Sequence, residues 1–302
     1  MFVKTAMGPL GGVICTPDEP PFAGLVLVDG SGPATRDDWD DMPAWFAAHG
    51  VATLRHDKPG CNGSPGDWRE QSFADRAEEA LTAVATLRAE PGVGRVGLIG
   101  YSQGGWISLL AATTAPQSVD FLVTISGPAV GIVEQERVRI ERALRGGGSD
   151  DETVIEALRW VDERAARLGV GEASAQVLAD QARYEGRSWY ACVAEAPNDE
   201  PKQLGFFARA MAFDPAAVIP HLRCPMLALF GSADESVPVE RSVAILAERL
   251  PSLHRGEHGI AVFPGADHML YVGPRRKDLP RVEQLAPAFA PMLADFLARV
   301  AT

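Results

Sequence analysis

The stretch Gly100–Gly104, which reads GYSQG, stands between a run that predicts a β-strand, Arg95–Tyr101, and a run that predicts an α-helix, Gly104–Ala115. Glycine is needed on both sides of a sharp strand-to-helix turn because the chain segments approach closely there. Such a turn holds its central residue in strained backbone angles and exposes its side chain. The stretch therefore predicts that Ser102 presents its hydroxyl at the end of a strand, beside a helix N-terminus.

Short apolar runs alternate with longer helical patterns along most of the chain. The predicted strands are Gly24–Asp29, Val51–His56, Arg95–Tyr101, Phe121–Ser126, Pro225–Gly231 and Gly259–Phe263. The predicted helices are Asp38–His49, Ser72–Ala89, Gly104–Ala115, Pro238–Arg249 and Val282–Arg299. Nearly continuous apolar strands suit a sheet that is covered on both faces. Their alternation with helices predicts an α/β fold with a mostly parallel central sheet flanked by helices.

One region interrupts this alternation. Residues 131–213 carry no strand signal and are interpreted as several amphipathic helices. The predicted breaks between these helices are Gly146–Gly148, Gly169–Gly171 and Pro197–Pro201. The alternation resumes at Cys224, so a helical insertion is a simpler account than a second domain. The sequence thus predicts a core formed by residues 1–130 and 214–302, with residues 131–213 inserted into it.

Composition excludes several classes of protein. The 302 residues include 28 Lys and Arg against 40 Asp and Glu, which gives a formal net charge of −12. An acidic balance disfavours non-specific binding to nucleic acid. Because 46% of the residues are hydrophobic, the chain can bury enough apolar surface to fold, and intrinsic disorder is not expected.

Cysteines and targeting signals add little. The four cysteines are Cys15, Cys61, Cys192 and Cys224. Their spacing forms no CxxC motif, and a disulfide framework is not expected in a chain of this length. No metal-ligand cluster or phosphate-binding loop is recognised, so no metal and no cofactor are predicted. The N-terminus lacks an apolar signal core and no run is long enough to span a membrane, so a cytoplasmic protein is expected.

A serine nucleophile needs a base, and the base needs an acid to orient it. His268 follows the last predicted strand, and Asp234 follows the strand before it, so both are expected with Ser102 at the carboxyl edge of the sheet. The order Ser, Asp, His suits a nucleophile-elbow enzyme. Glu235 is the second choice of acid, and Asp267 is disfavoured because adjacent side chains rarely face each other. The histidines predicted to be structural are His49, His221, His254 and His258.

An oxyanion that develops during acyl transfer needs backbone N–H donors. One donor is predicted to be Gln103, the residue after the nucleophile. The other should come from the loop Asp29–Pro33 after the first predicted strand, with Ser31 preferred and Gly32 as the alternative.

Five motifs carry a resemblance to a known family. They are VLVDGSGP (26–33), LRHDKPGCNGSPGD (54–67), GYSQGG (100–105), GSADESVP (231–238) and GADH (265–268). Together they resemble the α/β-hydrolase superfamily and, within it, bacterial serine esterases and serine aminopeptidase-like hydrolases. The resemblance covers about residues 20–130 and 220–300. It implies the α/β-hydrolase fold, with residues 131–213 as a helical lid inserted after the sixth strand.

The chain departs from the family pattern at two loops. Asp29 stands where the oxyanion loop usually has His, and a carboxylate there needs a neighbouring cation, for which Arg36 or Arg55 is expected. In the Asp-x-Arg-Gly turn, Pro59 replaces the usual Arg, and His56 replaces the aromatic residue that often precedes the turn.

The lid is expected to face the substrate pocket, together with residues next to the predicted catalytic positions. The residues predicted to contact the substrate are Asp29, Gly32, Trp106, Trp189, Phe206 and Met269.

The residues and the resemblance predict a serine hydrolase that cleaves a carboxylic ester, thioester or lactone of a small-molecule acyl substrate. One alternative is an amide or peptide hydrolase, in which Asp29, Glu235 or a lid carboxylate would hold a substrate amine. Another is a ligand-binding protein on a hydrolase scaffold that does not catalyse. The net charge of −12 gives anionic substrates no electrostatic steering, so neutral or cationic acyl compounds are favoured. A homodimer is possible on this evidence, and no nucleic-acid partner is expected.

Overall fold

One β-sheet forms the centre of the computed structural model, which describes residues 1–194, 200–253 and 258–300. Within those residues the strands of the sheet are β1 (Phe2–Thr5), β2 (Gly8–Cys15), β3 (Ala23–Val28), β4 (Val51–His56), β5 (Arg95–Tyr101), β6 (Leu122–Ile125), β7 (Met226–Gly231) and β8 (Gly259–Phe263). They lie in the order β1-β2-β4-β3-β5-β6-β7-β8. The pairs β1–β2 and β2–β4 are antiparallel, and the other pairs are parallel. The mostly parallel sheet predicted from the sequence is thus confirmed.

Helices cover both faces of this sheet. Those before β6 or after the inserted region are α1 (Met42–Ala48), α2 (Phe73–Arg88), α3 (Gln103–Thr114), α9 (Pro215–Val218), α10 (Val239–Arg249), α11 (Arg281–Gln284) and α12 (Phe289–Val300). Short 3₁₀ turns lie at Trp68–Glu70, Ala182–Tyr184 and Ile219–His221. Helices α2, α3 and α10 pack on one face, and α1 and α12 pack on the other.

Side-chain alternation along the central strands explains why both faces are covered. Val26 of β3 and Leu98 of β5 face α2 and α3, whereas their chain neighbours Leu25 and Ile99 face α1 and α12. All four side chains are fully buried. Because successive strand residues point to opposite faces, a sheet with two covered faces needs apolar residues at every position. This requirement produces the continuous apolar runs seen in the sequence.

The six predicted strands are found to within one residue at each end, but two strands were missed. These are β1, which has only four residues, and β2, whose sequence GPLGGVIC contains three glycines and a proline. Glycine and proline are depleted in strands, so the local pattern carried no strand signal. Antiparallel pairing of β2 with β4 stabilises the strand through contacts that are distant in sequence.

Two helix boundaries also differ from the prediction. Helix α1 begins at Met42 and not at Asp38, because Asp38 accepts a hydrogen bond from the Thr35 N–H in a turn, at 2.7 Å. The predicted helix Val282–Arg299 is divided into α11 and α12. Leu285 lies between them in an extended conformation and pairs with Tyr271, two residues before Pro287.

Five helices lie in the inserted region, residues 131–213, within the described residues. They are α4 (Ile132–Gly146), α5 (Asp151–Gly169), α6 (Ser174–Gln181), α7 (Tyr190–Val193) and α8 (Pro201–Ala210). Side chains of these helices form their own apolar cluster, which includes the buried Trp160 and Leu204. The first two predicted breaks separate α4 from α5 and α5 from α6, whereas most of the predicted break Pro197–Pro201 lies outside the described residues.

The longest helix is α5, with 19 residues, and it carries charged residues along its length. Among the residues described, no helix combines the length and apolar character needed to cross a membrane.

The turn between β5 and α3 brings three segments of backbone together. Ser102 adopts φ +51°, which is unusual for a residue with a side chain. A Cβ atom on Gly104 would lie 2.2 Å from the carbonyl oxygen of Val28, and one on Gly100 would lie 2.1 Å from that of Gly104. Only glycine allows this approach, so β3, β5 and the first turn of α3 are locked together at the carboxyl edge of the sheet.

The Gly104→Ala variant tests this close packing. We expect it to lower the free energy of unfolding by at least ~2 kcal/mol, because the new methyl group must displace backbone atoms. The matched control is Gly146→Ala at the end of α4, where a Cβ atom meets nothing within 4 Å. Urea unfolding should show the control as stable as wild type or slightly more stable. Equal stability of the Gly104→Ala variant would contradict the account of the turn.

Candidate active site

A chain of hydrogen bonds joins the three side chains that the sequence singled out. The Ser102 Oγ lies 3.0 Å from the His268 Nε2, and the His268 Nδ1 lies 2.7 Å from the Asp234 Oδ2. A carboxylate only accepts hydrogen bonds, so the Nδ1–H donates to Asp234 and Nε2 is left to accept the serine proton. The three residues follow β5, β7 and β8, and parallel strands bring those ends to one edge.

The loop after β7 holds Asp234 in a fixed orientation. Its side chain is fully buried, and its Oδ1 accepts hydrogen bonds from the N–H groups of Ser236 and Val237 at 2.8 and 2.9 Å. Arg142 of α4 donates to the main-chain carbonyl groups of Asp234 and Val237, at 2.8 Å each. One carboxylate oxygen is thus occupied by the loop, and the other is directed at His268.

The two other carboxylates considered for this role lie elsewhere. Glu235 is exposed. Asp267 accepts hydrogen bonds from the N–H groups of Met269 and Tyr271 through its Oδ1, at 2.8 and 2.9 Å, and so stabilises the turn that carries His268. Ser126, at the end of β6, holds the same loop by donating to the carbonyl oxygen of His268 at 2.8 Å. No local sequence pattern indicates this contribution from Ser126.

Two of the histidines predicted to be structural, His49 and His258, have contacts outside this site. The Nδ1 of His258 accepts from the Met226 N–H at 3.2 Å, and its Nε2 therefore donates to the Pro251 carbonyl at 2.9 Å. His49 contacts the Trp45 carbonyl at the end of α1. His221 lies in a 3₁₀ turn, and His254 is outside the described residues.

The residues predicted to supply the N–H donors lie close to Ser102. Gln103 is the first residue of α3, where helix N–H groups have no partner within the helix. Ser31 lies in the loop after β3, and it lines the same two cavities as Ser102. Gly32, the alternative donor, has φ +80° and lines the smaller of those cavities.

Two cavities open beside Ser102. The larger, about 280 Å³, is called the carboxylate cavity because Asp29 and Asp38 line it. The smaller, about 140 Å³, is called the aromatic cavity and lies under α4 and α8. The aromatic side chains of the smaller cavity are Trp68, Trp106, Phe206 and Phe207.

Five of the six residues predicted to contact a substrate line these cavities. Asp29 and Met269 line the carboxylate cavity, whereas Gly32, Trp106 and Phe206 line the aromatic cavity.

The structure does not bring Trp189, the sixth residue, to the site. Its side chain is buried in the cluster of the inserted helices, where its Nε1 donates to the Glu156 carboxylate at 2.8 Å. Helical periodicity cannot distinguish an aromatic residue that faces the pocket from one that packs within the insertion.

The charge of Asp29 is balanced by cations other than those expected. Lys58 and Arg76 are the neighbours whose positive charges lower its pKa. Arg36 instead forms an ion pair with Asp57 at 2.6 Å, and Arg55 donates to the main-chain carbonyl of Arg36. The expectation for Arg36 and Arg55 was wrong. Proximity to the loop in sequence does not determine which cations lie near Asp29, because Lys58 is positioned by the turn after β4 and Arg76 by the packing of α2.

Burial nevertheless dominates the titration of Asp29. It raises the pKa of the carboxyl from 3.8 to about 6, and Lys58 and Arg76 offset only part of this effect. Glu79, on the far side of Arg76, is similar, since burial raises its pKa to about 7. Two cations and two carboxyl groups therefore interact in a poorly solvated setting next to the loop after β3.

Among the described residues, no group of three or more His, Cys, Asp and Glu side chains is arranged to hold a metal ion. The chemistry available at the site is that of the serine, the imidazole, the buried carboxylate and the N–H donors around them.

The raised pKa of Asp29 predicts a pH-dependent stability. Proton binding by the folded protein stabilises it below pH 3.8, and this contribution is lost as the pH rises through about 6. The Asp29→Asn variant has no titratable group at this position and does not lose stability in this way. Its free energy of unfolding should therefore rise relative to that of wild type between pH 4 and 8, by about 1–3 kcal/mol. Urea titrations at several pH values measure the difference. Asp18→Asn, at an exposed position, is the control that should show a flat difference, and a flat Asp29→Asn result would contradict the prediction.

Comparisons with known proteins agree with this architecture. A model of the alpha/beta hydrolase family matches residues 23–277. No curated protein sequence matches the chain. Among solved structures, a proline iminopeptidase from Mycobacterium smegmatis is similar, with TM-score 0.62, 17% identity, and coverage of 100% of this chain and 98% of that chain. Est1E from Butyrivibrio proteoclasticus, with ferulic acid bound, has TM-score 0.60 and 16% identity, with both chains covered in full.

A third similar structure is a monoacylglycerol lipase from Paleococcus ferrophilus, with TM-score 0.57, 19% identity, and coverage of 96% of this chain and 99% of that chain. At these identities the structural likeness concerns the fold, whereas the family model matches the sequence itself over most of its length. The chain therefore belongs to the alpha/beta hydrolase family.

Proposed function

We propose that the protein is a serine hydrolase that cleaves a carboxylic ester, or a related thioester or lactone, through an acyl-enzyme on Ser102. The observation that carries the proposal is the hydrogen-bonded chain from Ser102 through His268 to the buried Asp234. It supplies a nucleophile, a base and an orienting acid in one line.

The proposed reaction has two halves. In the first, the Ser102 Oγ attacks the acyl carbon while its proton passes to the His268 Nε2, and the carbonyl electron pair moves onto oxygen. The N–H groups of Ser31 and Gln103 stabilise that oxyanion until the bond to the leaving alcohol breaks. The alcohol takes the proton from His268. In the second half, water repeats these steps, and a carboxylic acid and the free serine are released.

The cavities suggest where the two parts of the substrate lie. The aromatic cavity, with Trp106 and Phe206, suits the apolar acyl chain, and the carboxylate cavity suits the leaving group. At about 140 Å³ the aromatic cavity is small beside the roughly 300–1,000 Å³ of sites for drug-sized ligands, which favours short or compact acyl groups. Residues 131–213 act as a lid in this proposal, since α4 and α8 form the roof of the aromatic cavity.

One observation favours a second candidate, an amide or peptide hydrolase. Asp29 and Asp38 both line the carboxylate cavity, where they can bind a cationic amine of a substrate. A proline iminopeptidase is among the similar structures. Aminoacyl anilides assayed beside neutral esters distinguish the two: faster turnover of the anilides, measured as kcat/KM, supports the amide hydrolase and overturns the ester proposal.

Removal of the nucleophile tests the proposal. The Ser102→Ala variant should lose at least about 10⁴-fold in kcat on p-nitrophenyl esters, because no other group can form the acyl-enzyme. A series of acyl chains from acetyl to decanoyl should show the best kcat/KM at the short end. The control is Ser118→Ala, in the loop between α3 and β6, which should hydrolyse like wild type. Undiminished hydrolysis by Ser102→Ala would rule out Ser102 as the nucleophile, and a wild type that binds but never cleaves would indicate a non-catalytic receptor.

A second test identifies the acid. Asp234→Asn should lower kcat by about 10³–10⁴-fold, because an amide in place of the carboxylate no longer holds the Nδ1–H tautomer of His268. Glu235→Gln, one residue away and exposed, should stay within about threefold of wild type. The reverse ranking of these variants in ester hydrolysis would assign the acid to Glu235.

A further inference from the structure

A buried ammonium group contacts the loop that carries the Ser31 donor. Lys58 is 1% exposed, and its Nζ donates to the main-chain carbonyl oxygens of Gly30 and Gly32, at 2.5 and 2.6 Å. Both carbonyl groups flank Ser31, and one of them has a direct covalent link to its N–H. The Gly30 carbonyl and the Ser31 N–H belong to the same peptide group.

That peptide group is planar, and in its trans form the carbonyl and the N–H point in opposite directions. A group that holds the carbonyl therefore also sets the direction of the N–H. The second bond holds the Gly32–Pro33 peptide, so the peptide groups on both sides of the Ser31–Gly32 peptide are restrained. The loop needs this restraint, because Gly30 and Gly32 have no side chains that limit their backbone angles.

We propose that Lys58 is a positioning residue for the oxyanion hole, which aims the Ser31 N–H and strengthens it as a donor. The inference rests on the proposed function, since it concerns the same site. A hydrogen bond from an ammonium group to a carbonyl oxygen draws electron density away from the amide nitrogen, and bonds within one chain of polar groups reinforce each other. The effect is large where solvent is excluded, as it is around Lys58.

The surroundings of Lys58 fit such a role. Its main-chain N–H donates to the Ala34 carbonyl at 3.0 Å, which ties the turn after β4 to the far end of the same loop. The Trp68 ring lies 5.5 Å from its Nζ, and the Asp29 carboxyl supplies a negative charge nearby. Burial lowers the pKa of the ammonium, and the charge of Arg76 lowers it further, whereas Asp29, Cys61 and Glu79 raise it.

Arg76 restrains the neighbouring peptide and the other donor residue. Its Nη2 donates to the Asp29 carbonyl at 3.1 Å, and its Nη1 donates to the side-chain Oε1 of Gln103 at 2.8 Å. Three of the four carbonyl groups from Asp29 to Gly32, all except that of Ser31, thus accept from buried cations. A carboxylate at position 29, near a site where negative charge develops, is compatible with catalysis because the charges of Lys58 and Arg76 oppose its own.

The test uses the full-length Lys58→Met variant, which keeps the length of the side chain and removes the charge and both hydrogen bonds. Three quantities are measured: kcat and KM for a p-nitrophenyl ester, and the inhibition constant of a trifluoromethyl ketone with the same acyl chain, which forms a tetrahedral adduct. We expect kcat and the affinity for the ketone to fall together by about 10²–10³-fold, with KM within about threefold of wild type. The charge-matched control is Lys4→Met, at an exposed position of β1, which should match wild type.

A structural role alone would not lower kcat and the affinity for the ketone together while leaving KM nearly unchanged. If Lys58→Met binds the ketone as tightly as wild type, or if kcat stays within about threefold, the inference is overturned. If Lys58→Met does not fold, Lys58→Gln takes its place, because it keeps a donor without the charge; an intermediate loss of kcat and ketone affinity supports the inference, and wild-type values overturn it. A wild type that neither cleaves esters nor forms the ketone adduct overturns the proposed function itself, whereas an active wild type with an equally active variant overturns the role of Lys58 alone.

Discussion

The close approach of backbone at the β5–α3 turn is the constraint on which the rest of the site depends. A Cβ atom on Gly104 would lie 2.2 Å from the Val28 carbonyl oxygen, so the first turn of α3 packs directly on the end of β3. This contact places Ser102 beside the loop that follows β3, so Ser102 and Ser31 line the same cavities because β3 and β5 are neighbouring strands. The parallel order β3, β5, β6, β7, β8 then brings Asp234 and His268 to the same edge. The geometry of the site follows from the topology of the sheet.

The residues that can carry the chemistry could be predicted from the sequence, because each of them follows a strong local signal. Ser102 has glycines around it, and Asp234 and His268 each follow an apolar strand, so a parallel sheet must gather them. The charge partners of Asp29 could not be predicted in this way. Arg36 is close to the loop in sequence, and Arg55 lies on the neighbouring strand β4. The cations that contact the loop are instead Lys58, from the turn after β4, and Arg76, from the buried face of α2.

Strand β2 and the side chain of Trp189 are also placed by contacts that the local sequence pattern does not predict. Strand β2 forms because β4 offers a partner, although its glycines give no local preference for a strand. Trp189 lies on the inside of the inserted helices because Glu156 and Tyr184 meet it there, which periodicity alone cannot reveal. Two features of the sequence could have indicated Lys58. It is one of only four lysines among the 28 basic residues, and it precedes Pro59, which replaces the usual arginine of the turn.

The central claim is that Ser102 becomes covalently acylated during turnover. The most direct measurement is rapid acid quenching of the wild-type protein with a p-nitrophenyl ester, followed by mass spectrometry of its peptides. The account predicts a burst of nitrophenol of about one equivalent or less, and an acyl group on the peptide that contains Ser102 and on no other. Ester hydrolysis without an acylated peptide, or with the acyl group on a different residue, would contradict it.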